Sequence, residues 1–466
     1  MVQIGKKDIY WNYAATFLSV ASSALLIPFV LRMMPSETVG IWMIFMTITA
    51  FAGLLDFGFN PSFTRNITYV FSGVRSLKVK GVESVSTDNQ AIDYGLLKGV
   101  ITVMRWFYLR MAIFLFILLA TFGTYYIYNL LQQYKGSHQE VYIAWTVLCV
   151  INTYNLYTLY YNSLLQGKGL VKRSKQIVII GQMVYLIIGT ILILNGNGLI
   201  AIVSAQASSV VIIRWVSYHS FFTREINQQL HTSTSRPIKE IMKAIYPNAF
   251  KIGLTLLGGF MVQRSAIVIG SLYLPLGEIA SYGITMQLIT VIASLATIYT
   301  ATFQPKIVEL RVTKNNRAIK DLYLKGQIVL LVTYMAGGLF LLFLGEWVLN
   351  LIGSKTQLIP VSIIFVALII SLLENNHSIA GGILLTKNEV PFFKSSLTSG
   401  AITILLLIIL FYYTDMGLWA MILAPGIAHL YNNWKWPYEV AKQLNISLKD
   451  VYKSFFEITK IRTNEK

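Results

Sequence analysis

At 466 residues, with 55% hydrophobic and only 12% charged side chains and a mean hydropathy of +0.61, the chain cannot be an ordinary soluble domain, where about 25% charge is usual. A formal net charge of +18 would suit nucleic acid if it formed one basic patch, but the Lys and Arg residues are spread among gaps between apolar stretches. Anionic lipid headgroups, and not nucleic acid, are therefore the expected neighbours.

A helix needs roughly 20 apolar residues to cross ~30 Å of hydrocarbon. Twelve segments qualify in chain order: 10–32, 39–59, 107–131, 141–165, 176–195, 198–221, 247–272, 279–303, 326–345, 357–384, 393–413 and 416–434. Lys and Arg gather in every second gap and at the termini, while the opposite gaps hold only Arg32, Lys135 and Lys355. Short basic loops resist translocation, so both termini are expected in the cytoplasm. The N-terminal stretch 1–8 is short and polar, and the apolar run after it is too long for a signal-peptide core, so it is expected to remain as the first span.

The second span ends near Asp56, which is expected to pair with Arg65 or to take part in cation coupling. The inner gap that follows is the longest and polar. Its 66–98 portion reads as a solvated connector or a docking segment for a partner. The single cysteine, Cys149, lies inside the fourth span and excludes an intrachain disulfide framework or a cysteine metal site. In the sixth span Arg214 stands about two turns from the inner end, where it either reaches headgroups or serves a site. Two sequons, Asn66-Ile-Thr68 and Asn445-Ile-Ser447, fall on the cytoplasmic side, where no glycosylation is expected.

A weak repeat relates the halves. Met34-Pro-Ser-Glu37-Thr-Val-Gly40 precedes an apolar run ending in Phe59-Asn-Pro61, and Leu274-Pro-Leu-Gly-Glu278 precedes another ending in Phe303-Gln-Pro305. Similar elements in the same membrane orientation point to two parallel six-helix halves, 1–235 and 236–434, an arrangement found in transporters.

In the seventh span Arg264 is too deep to snorkel comfortably. A charge there costs ~2.5–3.5 kcal/mol on insertion scales unless it is paired or wet. Its guanidinium suits an anionic group, phosphate above all, or else a structural pair with Glu278 or Glu374. The tenth span holds Glu374-Asn-Asn-His377-Ser378 within one turn. That run is equipped for H+ or Na+ coupling, or else it holds helices together. His429 and Asn432-Asn433 carry less weight. The Gly pairs 258–259, 337–338 and 381–382 allow close helix packing or bending, with packing the simpler reading. Aromatic residues recur at span ends as interface anchors, among them Trp42, Tyr125, Tyr218 and Trp347. The tail 435–466 reads as a cytoplasmic amphipathic helix, with Ser447 and Asp450 at capping-box spacing.

Gly167-Lys-Gly169 has no βαβ setting, and no HExxH, Walker A or nucleophile-elbow pattern occurs, so no organic cofactor or metal is expected. The outer gaps are short and offer no loop that could shape an enzyme active site on that face.

Leu26-Ile-Pro28-Phe-Val-Leu-Arg32, Pro35-x-Glu37-x-x-Gly40-Ile41, Leu55-Asp56-Phe-Gly58, Arg65 and Arg264-Ser-Ala-Ile-Val-Ile-Gly270 together resemble the polysaccharide-transporter family of bacterial lipid-linked oligosaccharide flippases. That family belongs to the multidrug/oligosaccharidyl-lipid/polysaccharide (MOP) superfamily, with the multidrug and toxin extruders (MATE). Members often have Asp where this chain has Gln263. The resemblance implies an all-α polytopic fold of twelve transmembrane helices in two bundles around a cavity, in the bacterial inner membrane. It also implies a polyprenyl-diphosphate-linked oligosaccharide as substrate, with Arg264, Arg214 and Arg32 attracting the diphosphate. Glu374, His377 and Asp56 are the candidates for ion coupling, and membrane lipids and other polysaccharide-assembly proteins are the expected partners. The alternatives are a multidrug or small-solute exporter and, from another class, a membrane glycan polymerase or glycosyltransferase.

Overall fold

The computed structural model describes residues 11, 14, 18, 22, 25–77, 92–312, 315–386, 391–447 and 449–450, and every regular element among them is helical. In chain order these are α1 (25–33), α2 (Ser36–Leu54), α3 (Phe59–Phe71), α4 (Tyr94–Leu118), which continues through a π-turn at Leu119–Gly123 into α5 (Thr124–Leu131), α6 (His138–Tyr157), α7 (Tyr160–Gly167), α8 (Val171–Leu194), α9 (Gly198–Phe221) and α10 (Arg224–Thr232). The second half contributes α11 (Ile238–Gly270), α12 (Leu276–Val312), α13 (Asn316–Leu351), α14 (Val361–Leu385), α15 (Phe393–Tyr413) and α16 (Leu418–Gln443). Among the described residues nine helices are long and apolar enough to cross a membrane. The chain is a multi-pass membrane protein. Most of the expected first span lies outside the described residues.

The fourth and twelfth expected spans are present as α6 and α16 but are not among those nine. Polar residues explain this. Asn152, Thr153 and Asn155 interrupt α6, and His429, Asn432, Asn433, Pro425 and Pro437 interrupt α16. Lipid cannot satisfy such groups, so they face protein or a cavity. Elsewhere lipid is the natural solvent for the exposed side chains: Phe122, Phe343, Trp347, Tyr412 and Trp434 are all exposed.

The chain divides into two compact units, Met1–Leu257 and Gly258–Lys466. The division falls inside α11, later than the 235/236 boundary expected from sequence. In the first unit α8 packs on α9, and α6 packs on α9, α4 and α2. In the second, α12 packs on α13 and α14, while α16 packs on α14 and α15. The repeated elements open corresponding helices. Pro35 and Pro275 each stand just before one, their carbonyls accepting from Val39 N (3.1 Å) and Ile279 N (3.2 Å). Of the nine spans, these two are the most buried, at 61% and 50% of their apolar windows.

The repeat is broken at one place. α12 runs on unbroken, whereas α2 stops at Leu54 and the chain turns through Phe57 (φ 46°) and Gly58 (φ 69°) before α3 begins. Left-handed backbone favours glycine. At Gly58 space requires it as well, since a Cβ would lie 2.6 Å from the Ile252 side chain and 3.0 Å from the Ala249 carbonyl. Beyond the turn α3 packs on α7, where Ser163 Oγ lies 2.9 Å from Asn60 Oδ1. Asn66 is buried and donates to the Ser62 carbonyl at 2.7 Å, which removes that sequon from modification.

The expected start of the tail, residue 435, is a continuation of α16, which ends only at Gln443. The capping box is formed: Ser447 N donates to Asp450 Oδ2 at 2.8 Å, and Asp450 N lies 3.4 Å from Ser447 Oγ. Residues 448 and 451–466, which carry most of the expected amphipathic face, lie outside the described residues. Lys320 Nζ donates to Asp450 Oδ2 at 2.5 Å and, with Ser447, holds that carboxyl well below the usual carboxylate range. Because the folded value is depressed, this contact stabilises fully above the ordinary Asp range and is lost as the pH falls through the depressed value. Asp450→Ala should therefore accelerate amide hydrogen exchange at Ser447 near neutral pH. Unchanged exchange would make the contact irrelevant to the turn.

Candidate functional site

Each unit holds one cluster of polar groups at span depth. In the second unit the apolar part of α11, Ile252–Gly270, carries Arg264, which is half-buried. Among the described residues it makes no hydrogen bond or ion pair. The expected pair with Glu278 is absent because Glu278 is exposed at the start of α12. The expected pair with Glu374 is absent because Glu374 faces His429, with Oε1 and Nδ1 3.6 Å apart. That spacing is beyond hydrogen-bond range, so the contact is purely electrostatic and needs a protonated imidazole. The buried Tyr282 lies in electrostatic range of both Arg264 and Glu374 and thus relates the two charges.

Helical spacing puts Glu374 and His377 one turn apart on α14. His377 Nδ1 lies 3.2 Å from Asn433 Oδ1 on α16, and its ring centroid is 5.1 Å from that of His429. Since Oδ1 only accepts, Nδ1 carries the proton in this arrangement. Ser378, one turn after Glu374 on α14, is exposed. Asn432 Nδ2 donates to Ser399 Oγ at 2.9 Å, and Trp436 Nε1 donates to Asn432 Oδ1 at 2.9 Å, fixing this part of α16. His429, given little weight from sequence, is the residue that engages Glu374. Gln263 is exposed, so no carboxylate flanks Arg264 at that position.

In the first unit Arg214 is 4% exposed and does not reach out of the protein, which corrects the snorkelling alternative. Its Nη2 donates to Asn155 Oδ1 at 2.5 Å and its Nε donates to the same oxygen at 3.2 Å, while Nη1 is buried without a hydrogen-bond partner. Asp56 does not pair with Arg65, which is exposed on α3. The turn at Phe57–Gly58 carries the chain past that partner, and the Asp56 carboxylate instead accepts from Asn60 N at 3.0 Å and from Tyr108 OH at 2.5 Å. Tyr108 is in turn within electrostatic range of Arg214. Arg32 is exposed at the end of α1 and joins neither cluster. Asn155 and Tyr108 were missed in the sequence. Their only signal was an Asn in the middle of an apolar run.

Asn155 supplies both side-chain bonds to a buried guanidinium, and hydrogen bonds to charged groups contribute about 1.5–3 kcal/mol net. Asn155→Ala is expected to lower stability by that order, read as a fall in the thermal midpoint of the purified protein. An unchanged midpoint would mean that Arg214 finds another acceptor.

No family model and no curated protein matches this chain. Solved structures do. An inward-facing multidrug MATE transporter of the MOP superfamily matches with a TM-score of 0.62 at 16% identity, over 92% of this chain and 94% of that one. The lipid II flippase MurJ in an inward closed conformation matches at 0.60 and 14%, over 98% and 92%. The fold is that of the MOP transporters. A MOP transporter from Pyrococcus furiosus, described as having a binding pocket of reversed polarity, matches at 0.58 and 15%, over 94% and 95%. The MOP fold thus covers nearly the whole chain, both clusters included.

Proposed function

We propose that the protein is a flippase that carries a polyprenyl-diphosphate-linked oligosaccharide from the inner to the outer leaflet of a bacterial cytoplasmic membrane, without covalent chemistry. One observation carries this reading: Arg264, a cation within an apolar span, has no carboxylate partner among the described residues and so keeps its charge for an anionic ligand. A diphosphate meets the guanidinium fork bidentately while its lipid tail stays in the bilayer. The likeness to MurJ, named for flipping lipid II, supports a lipid-linked cargo on this fold. Arg214, buried and without a carboxylate, adds positive potential in the first unit.

Coupling to H+ or Na+ falls to Glu374 with His429 and His377, the one cluster where a carboxylate and imidazoles meet at span depth among the described residues. Glu374→Gln should leave cargo binding intact and remove any stimulation of transport by an imposed H+ or Na+ gradient. Undiminished stimulation would move the coupling elsewhere.

A deletion strain tests the reading in cells, where completed lipid-linked oligosaccharide should accumulate on the inner leaflet. Arrested glycan elongation would favour the polymerase alternative. The exporter alternative draws on the similar likeness to a MATE multidrug transporter solved as a ligand complex, at TM-score 0.62 and 15% identity. It predicts efflux of cationic dyes, which the Arg264 cation disfavours.

A further inference from the structure

The first unit gathers tyrosines around two arginines in a way that interface anchoring does not explain. Tyr154, Tyr157 and Tyr161 recur at helical spacing across the α6–α7 junction, with Tyr160 beside them. From α9, Tyr218 meets Tyr161 edge-on, with ring centroids 5.7 Å apart, and Phe222 closes the group at 4.9 Å from Tyr218. Belt aromatics turn most of their surface to lipid, as Trp215 does at 62% exposure. Tyr157, Tyr160, Tyr161, Tyr218 and Phe222 instead meet one another edge-on or tilted, while Tyr154 and Tyr218 each keep 38% of their surface open.

Two cations share the group. The exposed Arg105 donates from Nε to Tyr160 OH at 3.3 Å and lies 5.6 Å from the Phe222 centroid. Tyr157 and Tyr161 are in its electrostatic range. Arg214 lies in range of Tyr154 and Tyr161 and keeps its buried Nη1 unpaired. Tyr161 thus stands between two guanidinium charges, neither of which has a carboxylate within ion-pair distance among the described residues. Asp56, the acid in the vicinity, is occupied by Tyr108 and the Asn60 amide.

We propose that this cluster is a binding platform for the sugar next to the diphosphate, with Arg105 holding phosphate oxygens and the open faces of Tyr154 and Tyr218 stacking against a pyranose. The ring face carries the negative end of the quadrupole and attracts the C–H edges of a sugar, while the phenol groups offer hydrogen bonds to its hydroxyls. Arg214, too enclosed to touch a ligand directly, projects its charge through Tyr154 and Tyr161 and favours the anionic end. The inner position of Arg105, at the edge of the basic gap 60–106, suits first contact with a cargo made on the cytoplasmic side.

The proposal rests on the lipid-linked glycan reading, and its test separates the two. Purified full-length protein is titrated with a ten-carbon prenyl diphosphate bearing one N-acetylhexosamine, and with the same prenyl diphosphate without sugar. Tyr154→Ala and Tyr218→Ala should each weaken binding of the glycosylated probe about tenfold, which corresponds to ~1.4 kcal/mol, and leave the sugar-free probe unchanged. Tyr154→Phe should retain most of the affinity because the ring face remains. Arg105→Gln should weaken both probes alike. If the two alanine variants affect both probes equally, or neither, the tyrosines serve the prenyl chain or the interface and the platform is wrong. If wild-type protein binds neither probe, the flippase reading falls and the platform falls with it.

Discussion

Arg264→Ala is expected to abolish transport while leaving the protein inserted and folded. Each charge-assisted hydrogen bond to phosphate is worth about 1.5–3 kcal/mol, so losing a bidentate pair lowers cargo affinity by at least two orders of magnitude, at about tenfold per 1.4 kcal/mol. The same substitution removes a charge that costs ~2.5–3.5 kcal/mol to place at span depth, and Arg264 makes no ion pair among the described residues whose loss would offset that gain. The variant should therefore melt no lower than wild type. Arg264→Lys keeps the charge but loses the fork, and intermediate transport is expected. Wild-type surface glycan in the alanine variant would remove Arg264 from the mechanism.

Gly258→Val is expected to be the most damaging small substitution in the second unit. A Cβ at 258 would lie 2.6 Å from the Ser396 carbonyl carbon and 2.7 Å from Leu397 N, both backbone atoms of α15 that cannot rotate away. Facing it, a Cβ at Gly400 would meet the Gly258 carbonyl at 2.9 Å, so α11 and α15 approach each other glycine to glycine. Overpacking usually costs about 1–3 kcal/mol, and backbone contact puts this case at or above the upper end. Gly259 is the control in the same dipeptide, since a Cβ there would have nothing within 4 Å. Gly259→Ala should melt like wild type, and Gly258→Val should be recovered largely aggregated. Equal behaviour of the two would contradict the close approach.

These two residues also show what was legible in the sequence. Arg264 stood out because hydrocarbon tolerates few charges, so one arginine in an apolar run identifies itself without tertiary information. The same physics made α8, α13 and α15 readable, each an unbroken apolar run between basic and polar gaps. The Gly258–Gly259 pair announced close packing, but only the facing helix decides which glycine is needed. α6 and α16 were found at lower contrast, because the residues that equip them for a site also dilute their hydropathy.

Partnerships were the part that sequence could not supply. Arg214 and Asn155 lie 59 positions apart, and Asn155 resembles any polar residue in a span until α6 and α9 pack. Asp56 was paired with Arg65 by proximity along the chain, and the left-handed turn at Phe57–Gly58 defeats that reasoning. Glycine at 58 was the only local hint. Tyr218 was read as an interface anchor because a belt and a cluster have the same composition. Contact between Tyr161 and Tyr218 distinguishes them.

The most direct measurement is reconstituted translocation. Proteoliposomes containing the purified protein and a fluorescent polyprenyl-diphosphate-linked oligosaccharide, with label accessibility followed from one side, should show flipping by wild type and not by Arg264→Ala. Label that stays on its original leaflet in wild-type vesicles, or that moves equally fast in both, would contradict the account.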